Sequence, residues 1–465
     1  MNDPNGTILV NGTYHLFYQH VPHVGKWDSF MCWGHATSRD LVHWVHHPVA
    51  IEPSLDRGEL SCWSGCCILG PGKTPSILYT SIKDTFPARY EPSVWLATSQ
   101  DGLDTWIKHP ANPVMLPPPG IEDWRDPYAW RDEDGTWRCI MGGHLDAEGG
   151  GAPVVSLHVS QDAMMWKHVG PLCAGMPLES LPPRIPLGGD KPGQVATGTN
   201  WECPNFFPVG GKHCLIVSPH HRVIYATGTF DGAFFTPGPW RVFDHGSAFY
   251  ATNTWFAPGN RVVIIGWVRG AGSNGSWEGM ASLPRQVSLD PARWDDRLFI
   301  EPVDELRCLR RDHVHLKSTT LQAGGMIDIF NKEKQATLAG CGRRLEIQAT
   351  FTPFRDRARG LFGIQLFDGN DLERDQDRAE VGIDLTEGLL FNGIEFGYID
   401  TSTTPWFTIR VFLDNSVLEM FVNGIEALTT RIHPRPGAVP CPRLFARDVE
   451  VKIKDVDAWM LASAW

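Results

Sequence analysis

Ser38-Arg39-Asp40 leading to Trp44, Ser99-Gln100-Asp101 leading to Trp106, and Ser160-Gln161-Asp162 leading to Trp166 are three copies of one short pattern. From Asp40 to Asp101 is 61 residues, and from Asp101 to Asp162 is again 61. Lys or His stands just beyond each Trp. Between copies the chain reads as strands separated by polar turns, with Ser-x-Asp opening a tight turn and Trp packing in the next strand. Loose tripeptides can coincide by chance, but equal spacing argues against it. A fixed period of β units is the signature of a propeller, in which each blade is a small sheet packed on its neighbours.

Working outward, two further units drop the Ser-x-Asp turn but keep the blade-sized spacing. They open at Trp201-Glu202-Cys203-Pro204 and Phe249-Tyr250-Ala251. With Asn2-Asp3-Pro4, Trp63-Ser64-Gly65 and Arg125-Asp126-Pro127 as the earlier openings, five blades are expected. From His313 the character changes: Trp406–Phe412 and Val417–Val422 alternate faces and are closed by Asp414-Asn415 and Asn423-Gly424. The expected fold class is therefore all-β, a five-bladed β-propeller over residues 1–299 followed by a C-terminal β-sandwich over 313–465, with a connecting stretch over 300–312.

Composition agrees. Among 465 residues, 19 Trp and 23 Phe supply core area while 47 Gly and 36 Pro punctuate it at turn density. A net charge of -12 argues against nucleic acid or an anionic membrane as partner and suits a neutral ligand such as a sugar. No apolar run reaches membrane-helix length and no signal peptide is visible; the chain opens directly on its main motif, which reads as a trimmed amino terminus. The 11 cysteines are scattered, and Cys62, Cys66 and Cys67 lack the spacing of a zinc site, so no metal or cofactor is expected.

Asp3, Asp126 and Glu202 each sit beside Pro or Cys-Pro at a blade opening, and blades that converge on one axis can bring them together. Taken alone, Asp3-Pro4-Asn5-Gly6 reads as a turn. Three carboxylates in one pocket suit glycoside cleavage: one attacks the anomeric carbon, one protonates the leaving oxygen, and a third steadies the oxocarbenium-like charge. Arg125 beside Asp126 should hold that carboxyl ionised, and the apolar flanks of Glu202 should raise its pKa as a general acid requires. The environment points to Asp3 as nucleophile and Glu202 as acid/base.

These motifs resemble a known series. Asn2-Asp3-Pro4-Asn5-Gly6, Phe17-Tyr18-Gln19, Trp33-Gly34-His35-Ala36, Trp63-Ser64-Gly65, Arg125-Asp126-Pro127 and Glu202-Cys203 are similar, in order, to those of glycoside hydrolase family 32, which contains invertases, inulinases, levanases and fructosyltransferases. The resemblance implies a retaining β-fructofuranosidase acting on sucrose or short fructans, with some transfructosylation. It implies Asp3 as nucleophile, Glu202 as acid/base and Asp126 as transition-state stabiliser. It places Asn2, Gln19, Trp27, Ser64 and Arg125 at the fructosyl unit, with Trp27 and Trp63 as aromatic walls. Asp244 resembles a residue that holds the sugar beyond the cleavage point, and Tyr250, in the last opening, is counted among the substrate contacts. The family also leans towards an extracellular location, and self-association into a homo-oligomer stays open.

Departures bear on specificity. Many microbial members carry Asp where this chain has Ala248, and no Trp precedes Asn2. Competing readings are a dedicated fructosyltransferase, an inverting arabinan hydrolase on the same kind of propeller, and a non-catalytic sugar-binding protein. Gly270-Ala-Gly272-Ser-Asn-Gly275 fits a nucleotide fingerprint but lacks a following helix, and His46-His47 and His220-His221 read as surface or core histidines.

Overall fold

The computed structural model describes every residue except 26, 27, 29, 86–88, 177–194, 221, 272–276, 294, 332, 333, 335–342, 355–358, 369, 370, 373–378 and 465. Strands dominate throughout. Among the described residues, no helix is long and apolar enough to cross a membrane.

Backbone contacts divide the chain into two units, and the described residues of Met1–Ile185, Val195–Val242 and Tyr250–Leu298 make up the first. Small antiparallel sheets follow one another along it. The first holds β1 (Pro4–Val10), β2 (Thr13–His20), β3 (Cys32–Ser38) and β4 (Trp44–Ile51), paired in chain order. The second holds β5 (Ser61–Leu69), β6 (Pro75–Thr85), β7 (Arg89–Thr98) and β8 (Ile107–Lys108). The third holds β9 (Ile121–Arg131), β10 (Trp137–Leu145), β11 (Pro153–Ser160) and β12 (Lys167–Ala174). The fourth holds β13 (Glu202–Val209), β14 (Lys212–Ser218), β15 (Ile224–Phe230), β16 (Phe235–Pro237) and β17 (Arg241–Val242). The last holds β18 (Phe249–Ala257), β19 (Arg261–Ala271), β20 (Glu278–Ala281), β21 (Arg285–Leu289) and β22 (Leu298–Pro302).

The periodic turn is what the spacing predicts. Ser38, Ser99 and Ser160 each donate to the Asp two residues on, at 3.1, 2.9 and 2.9 Å. That Asp then accepts backbone N–H groups ahead of it, from His43, Thr105 and Met165 at 2.8, 2.9 and 2.8 Å. Carboxylates capping their own turns in this way fix the approach to the next strand. The fourth sheet corrects one expectation. Asp231 follows β15 and accepts from Ala233 and Phe234 at 2.9 and 2.7 Å, so the acidic turn persists there and only the Ser and Trp are lost.

The core of this unit lies between neighbouring sheets. Phe17, Trp33 and Ile51 of the first pack with Ile77, Tyr79 and Trp95 of the second. Leu78 and Leu96 pack with Trp124 and Met141 of the third, and Ile140 and Leu157 with Phe206 and Leu215 of the fourth. Sheets bearing apolar side chains on both faces can be stacked face to face, which is how a blade buries itself.

The second unit contains Phe243–Phe249 and the described residues of Phe299–Trp465. Its two sheets enclose one core. Leu345, Ile347, Ala349 and Phe351 of strand Arg344–Pro353 face Phe362, Ile364, Val381 and Ile383 of the other sheet. Phe407–Asp414 and Val417–Val422 are paired strands as expected, but Val417–Val422 is buried on both faces and not alternately. Part of the expected connection over 300–312 is itself ordered: β22 reaches Pro302 and a 3-10 turn spans Asp304–Leu309.

Candidate active site

The site is built by one backbone device used repeatedly. In β1, β5, β9 and β13 the ladder shifts by one residue: Asn5–Ile8 spans Phe17–His15, and Cys62–Gly65 spans Ser81–Tyr79. Likewise Arg125–Tyr128 spans Gly142–Ile140, and Glu202–Asn205 spans Ser218–Ile216. Such bulges bend a strand and re-aim side chains, and they are held at functional sites. Asp126 and Cys203 sit at these bulges with φ of 65° and 46°, and Gly6 at 51°. Non-glycine residues in that region signal strain over-determined by their surroundings. Asp3-Pro4-Asn5-Gly6 is thus not a turn: Pro4 and Asn5 pair with Tyr18 and Phe17, and the positive φ at Gly6 serves the bulge. A Cβ at Gly142 would stand 2.2 Å from the Trp201 carbonyl, so glycine there lets the third and fourth sheets meet directly behind Glu202.

Asp3 is reached by Ser64 Oγ at 2.6 Å and Asn2 Nδ2 at 3.2 Å. Gln19 ties the two donors together, its Nε2 donating to Ser64 Oγ at 2.7 Å and its Oε1 accepting from Asn2. Asp126 accepts the Cys203 N–H at 2.9 Å, and its own N–H donates to Thr80 Oγ1 at 2.8 Å. The Cys203 thiol lies 3.6 Å from both Asp3 Oδ2 and Asp126 Oδ2, so one side chain joins the two carboxyls. Glu202 is held differently. Arg125 Nη2 and Tyr250 Oη donate to its two oxygens, and His220 Nε2 stands 3.4 Å from Oε1.

The electrostatics reverse two expectations. Burial pushes Asp126 up to about 7; the Arg125 charge opposes this, and the Glu202 and Asp3 charges add to it. Asp3 is also raised, by burial first, against the pull of Ser64. Burial would raise Glu202 too, but His220, Arg125 and Tyr250 together bring it down to about 2. The sequence order misleads because Arg125 adjoins Asp126 in the chain while its guanidinium reaches across to Glu202. Burial and the surrounding carboxylates hold the Cys203 thiol protonated.

The matching family model for the N-terminal domain of glycosyl hydrolases family 32 covers residues 1–302, and that for the C-terminal domain covers 313–460. The chain belongs to glycosyl hydrolase family 32. It is 30% identical to the raffinose invertase of Escherichia coli, over 99% of this chain and 92% of that one. It is 27% identical to the fructan 6-exohydrolase of Beta vulgaris, over 100% of this chain and 85% of that one. The crystal structure of fructan 1-exohydrolase IIa from Cichorium intybus superposes with a TM-score of 0.81 at 25% identity, over 100% of this chain and 95% of that one.

Of the family positions named from the sequence, Asn2, Asp3, Gln19 and Ser64 and, through Cys203, Asp126 form one hydrogen-bonded network. Arg125, Glu202 and Tyr250 form a second, close enough for the Glu202 charge to act on Asp3 and Asp126. Tyr250 touches Glu202 directly, a closer part than the sugar contact expected of it. Trp63 is half-buried on the β5 bulge, its carbonyl accepting from Trp33 Nε1 at 3.0 Å. Trp27 lies outside the described residues. Asp244 corrects the expectation for it. It belongs to the second unit, is fully buried, and accepts from Gly246 N at 2.8 Å, Thr429 N at 2.9 Å and Thr429 Oγ1 at 2.7 Å. Its oxygens are spent on its own turn and on tying that turn to the strand Glu426–Arg431. His220, read as surface or core, and Thr80 are site residues that the sequence did not reveal; the only signal for His220 was its place just past the strand opposite Glu202.

Proposed function

We propose that this protein is a retaining β-fructofuranosidase that releases terminal fructosyl units from sucrose or short fructans, mainly to water and in part to other sugars. The observation that carries the reading is the cluster of three carboxylates with unequal access. Asp126 is buried, while Asp3 and Glu202 keep partial exposure. The invertase and fructan exohydrolases among its relatives support this substrate class.

Asp3 attacks C2 of the fructosyl unit as the bond to the glycosidic oxygen breaks, and Glu202 gives that oxygen its proton. Water, giving its proton back to Glu202, then attacks C2 and frees Asp3. Asp126 lies beside the developing positive charge and stabilises it. The free site prefers its proton on the Asp3–Asp126 side, whereas the first step needs it on Glu202. Sugar hydroxyls donating to Asp3 and Asp126 favour their ionised forms and move the proton where it is used, so the trio titrates as a unit. The first unit's sheets are best read as five blades over residues 1–299. Besides packing in series, β18 of the last sheet binds both the first and the fourth: Asn253 Oδ1 accepts from Thr7 N at 3.2 Å, and Thr252 O from Asn205 Nδ2 at 2.8 Å.

Incubation with concentrated sucrose tests the reading. Equal glucose and fructose establish hydrolysis, and glucose in excess with trisaccharides appearing establishes transfer. No release from sucrose, inulin or levan overturns it. Retention is tested separately, by mass spectrometry of the Glu202→Gln variant mixed with β-fructosyl fluoride, a donor whose leaving group needs no acid; the peptide containing Asp3 should carry one fructosyl unit.

A further inference from the structure

Trp406 stands at the start of strand Phe407–Asp414 in the second unit, and its backbone is pinned from across the hairpin. Asn423 Nδ2 donates to its carbonyl at 3.2 Å, Thr408 N donates to Asn423 Oδ1 at 2.7 Å, and Asn423 N donates to Thr408 O at 2.9 Å. Trp406 is 54% exposed. A large aromatic held firmly by its backbone and turned to solvent is pre-ordered for a contact.

Beside it lies a cleft of about 280 Å³ lined by Glu301, Gln348, Thr408 and Arg410. Two of these are already committed: Arg410 donates to the buried Glu346 at 2.8 Å, and the hydroxyls of Thr408 and Thr350 pair at 3.0 Å. The Glu301 carboxylate and the Gln348 amide have no hydrogen-bond partner among the described residues. The cleft therefore offers one aromatic face, a free acceptor pair and a free amide. Its guanidinium is neutralised and its remaining charge is negative, which disfavours anionic ligands such as phosphosugars or nucleic acid. A sugar ring has the complementary surface, an apolar C–H face that stacks on an aromatic and a rim of hydroxyls that a carboxylate and an amide can bind.

We propose that the Trp406 cleft is a second, non-catalytic carbohydrate site that holds a fructan chain. The choice of fructan rests on the function read above; the cleft itself does not. Its contribution is to keep polymer on the protein while sucrose, too short to gain from it, is turned over independently.

The test uses the full-length Asp3→Ala protein in native gels cast with inulin, levan or dextran, with excess sucrose present to occupy the catalytic pocket. Inulin or levan should retard it, Trp406→Ala should remove most of that retardation, and Gln348→Ala should remove a smaller part. In the otherwise unmodified enzyme, Trp406→Ala should leave kcat/KM for sucrose unchanged and raise KM for the polymer roughly fivefold, as expected for loss of an aromatic anchor. Equal retardation with and without Trp406, or none in either fructan, overturns the proposal. Dextran retarding as strongly as fructan overturns the fructan assignment. Failure to cleave sucrose or fructan with Trp406-dependent retardation intact would instead break the catalytic reading and leave the cleft standing.

Discussion

Glu346 and Asp126 are both buried carboxylates, 0% and 5% exposed, and the two units treat them oppositely. In the second unit, Arg310 grips Glu346 with two hydrogen bonds of 2.8 and 2.6 Å and Arg410 adds a third at 2.8 Å. In the first unit, Asp126 receives a backbone N–H and a thiol, while Arg125 turns to Glu202. A buried charge matched by opposite charges has its desolvation offset, so that removing one partner is strongly destabilising; one left undercompensated is a cost, and such costs gather where chemistry happens. Asp244, saturated by Thr429 and Gly246, falls on the structural side of that line although its sequence context suggested the other.

Substitutions should separate the two kinds. Asp3→Ala or Glu202→Ala should reduce kcat on sucrose on the order of 10⁴-fold or more while the melting temperature holds within a few degrees. A folded, active Asp3→Ala protein would falsify the mechanism. Glu346→Ala should do the reverse, costing about 3–5 kcal/mol because two guanidiniums lose their partner in a buried setting, with turnover per folded molecule unchanged. Denaturant unfolding followed alongside sucrose hydrolysis reads both effects.

A smaller effect, with a definite sign in pH, is expected at Asp126. Its folded pKa of about 7 lies above the usual unfolded value near 4, so the proton is bound more tightly in the folded state. Its contribution is therefore most favourable below about pH 4 and is lost as pH rises towards 7, by up to a few kcal/mol. Asp126→Asn, permanently neutral, should melt higher than the parent at pH 8 and nearly with it at pH 4, while losing most of its activity. Glu202 runs the other way: lowered to about 2, it stabilises above the unfolded carboxylate range and loses that contribution as pH falls from about 4 to 2. Equal melting differences at pH 4 and pH 8 would show that Asp126 is not the group under strain.

The sequence made the periodic features legible and hid those that depend on crossing between sheets. Ser38-Arg39-Asp40 and its copies announced their turns because each turn is closed by local hydrogen bonds, whose residues must be adjacent in sequence. The three carboxylates could be named from the same regularity, since each lies in, or one residue before, the first strand of its sheet. The direction of Arg125 could not be read, because a long side chain chooses among partners that only the fold brings near. His220 was unreadable for the same reason: it lies 18 residues from Glu202 in the chain and meets it through the pairing of β13 with β14. Asp3-Pro4-Asn5-Gly6 misled for a different reason, since residues that favour positive φ serve a bulge as well as a turn.

The finest difference between matched and unmatched charge lies at Glu202 itself. The Tyr250 hydroxyl has one proton and two acceptors, Glu202 Oε2 and the Ser218 carbonyl at 2.9 Å, and it accepts the His220 N–H at 2.8 Å. While Glu202 is ionised the proton points to it; once Glu202 is protonated, Tyr250 can turn its proton to Ser218 and accept from the acid. This lets one residue support both the acid and the base half of the reaction. Tyr250→Phe removes the donor that favours the ionised form, so the alkaline limb of kcat/KM should move up by roughly one pH unit, the worth of a hydrogen bond to a charged group. His220→Ala, whose ring is 3.4 Å away and 44% exposed, should move the same limb the same way by roughly half a unit or less, and salt should shrink that shift further. A uniform loss of rate at every pH in Tyr250→Phe would mean the hydroxyl only holds the pocket's shape.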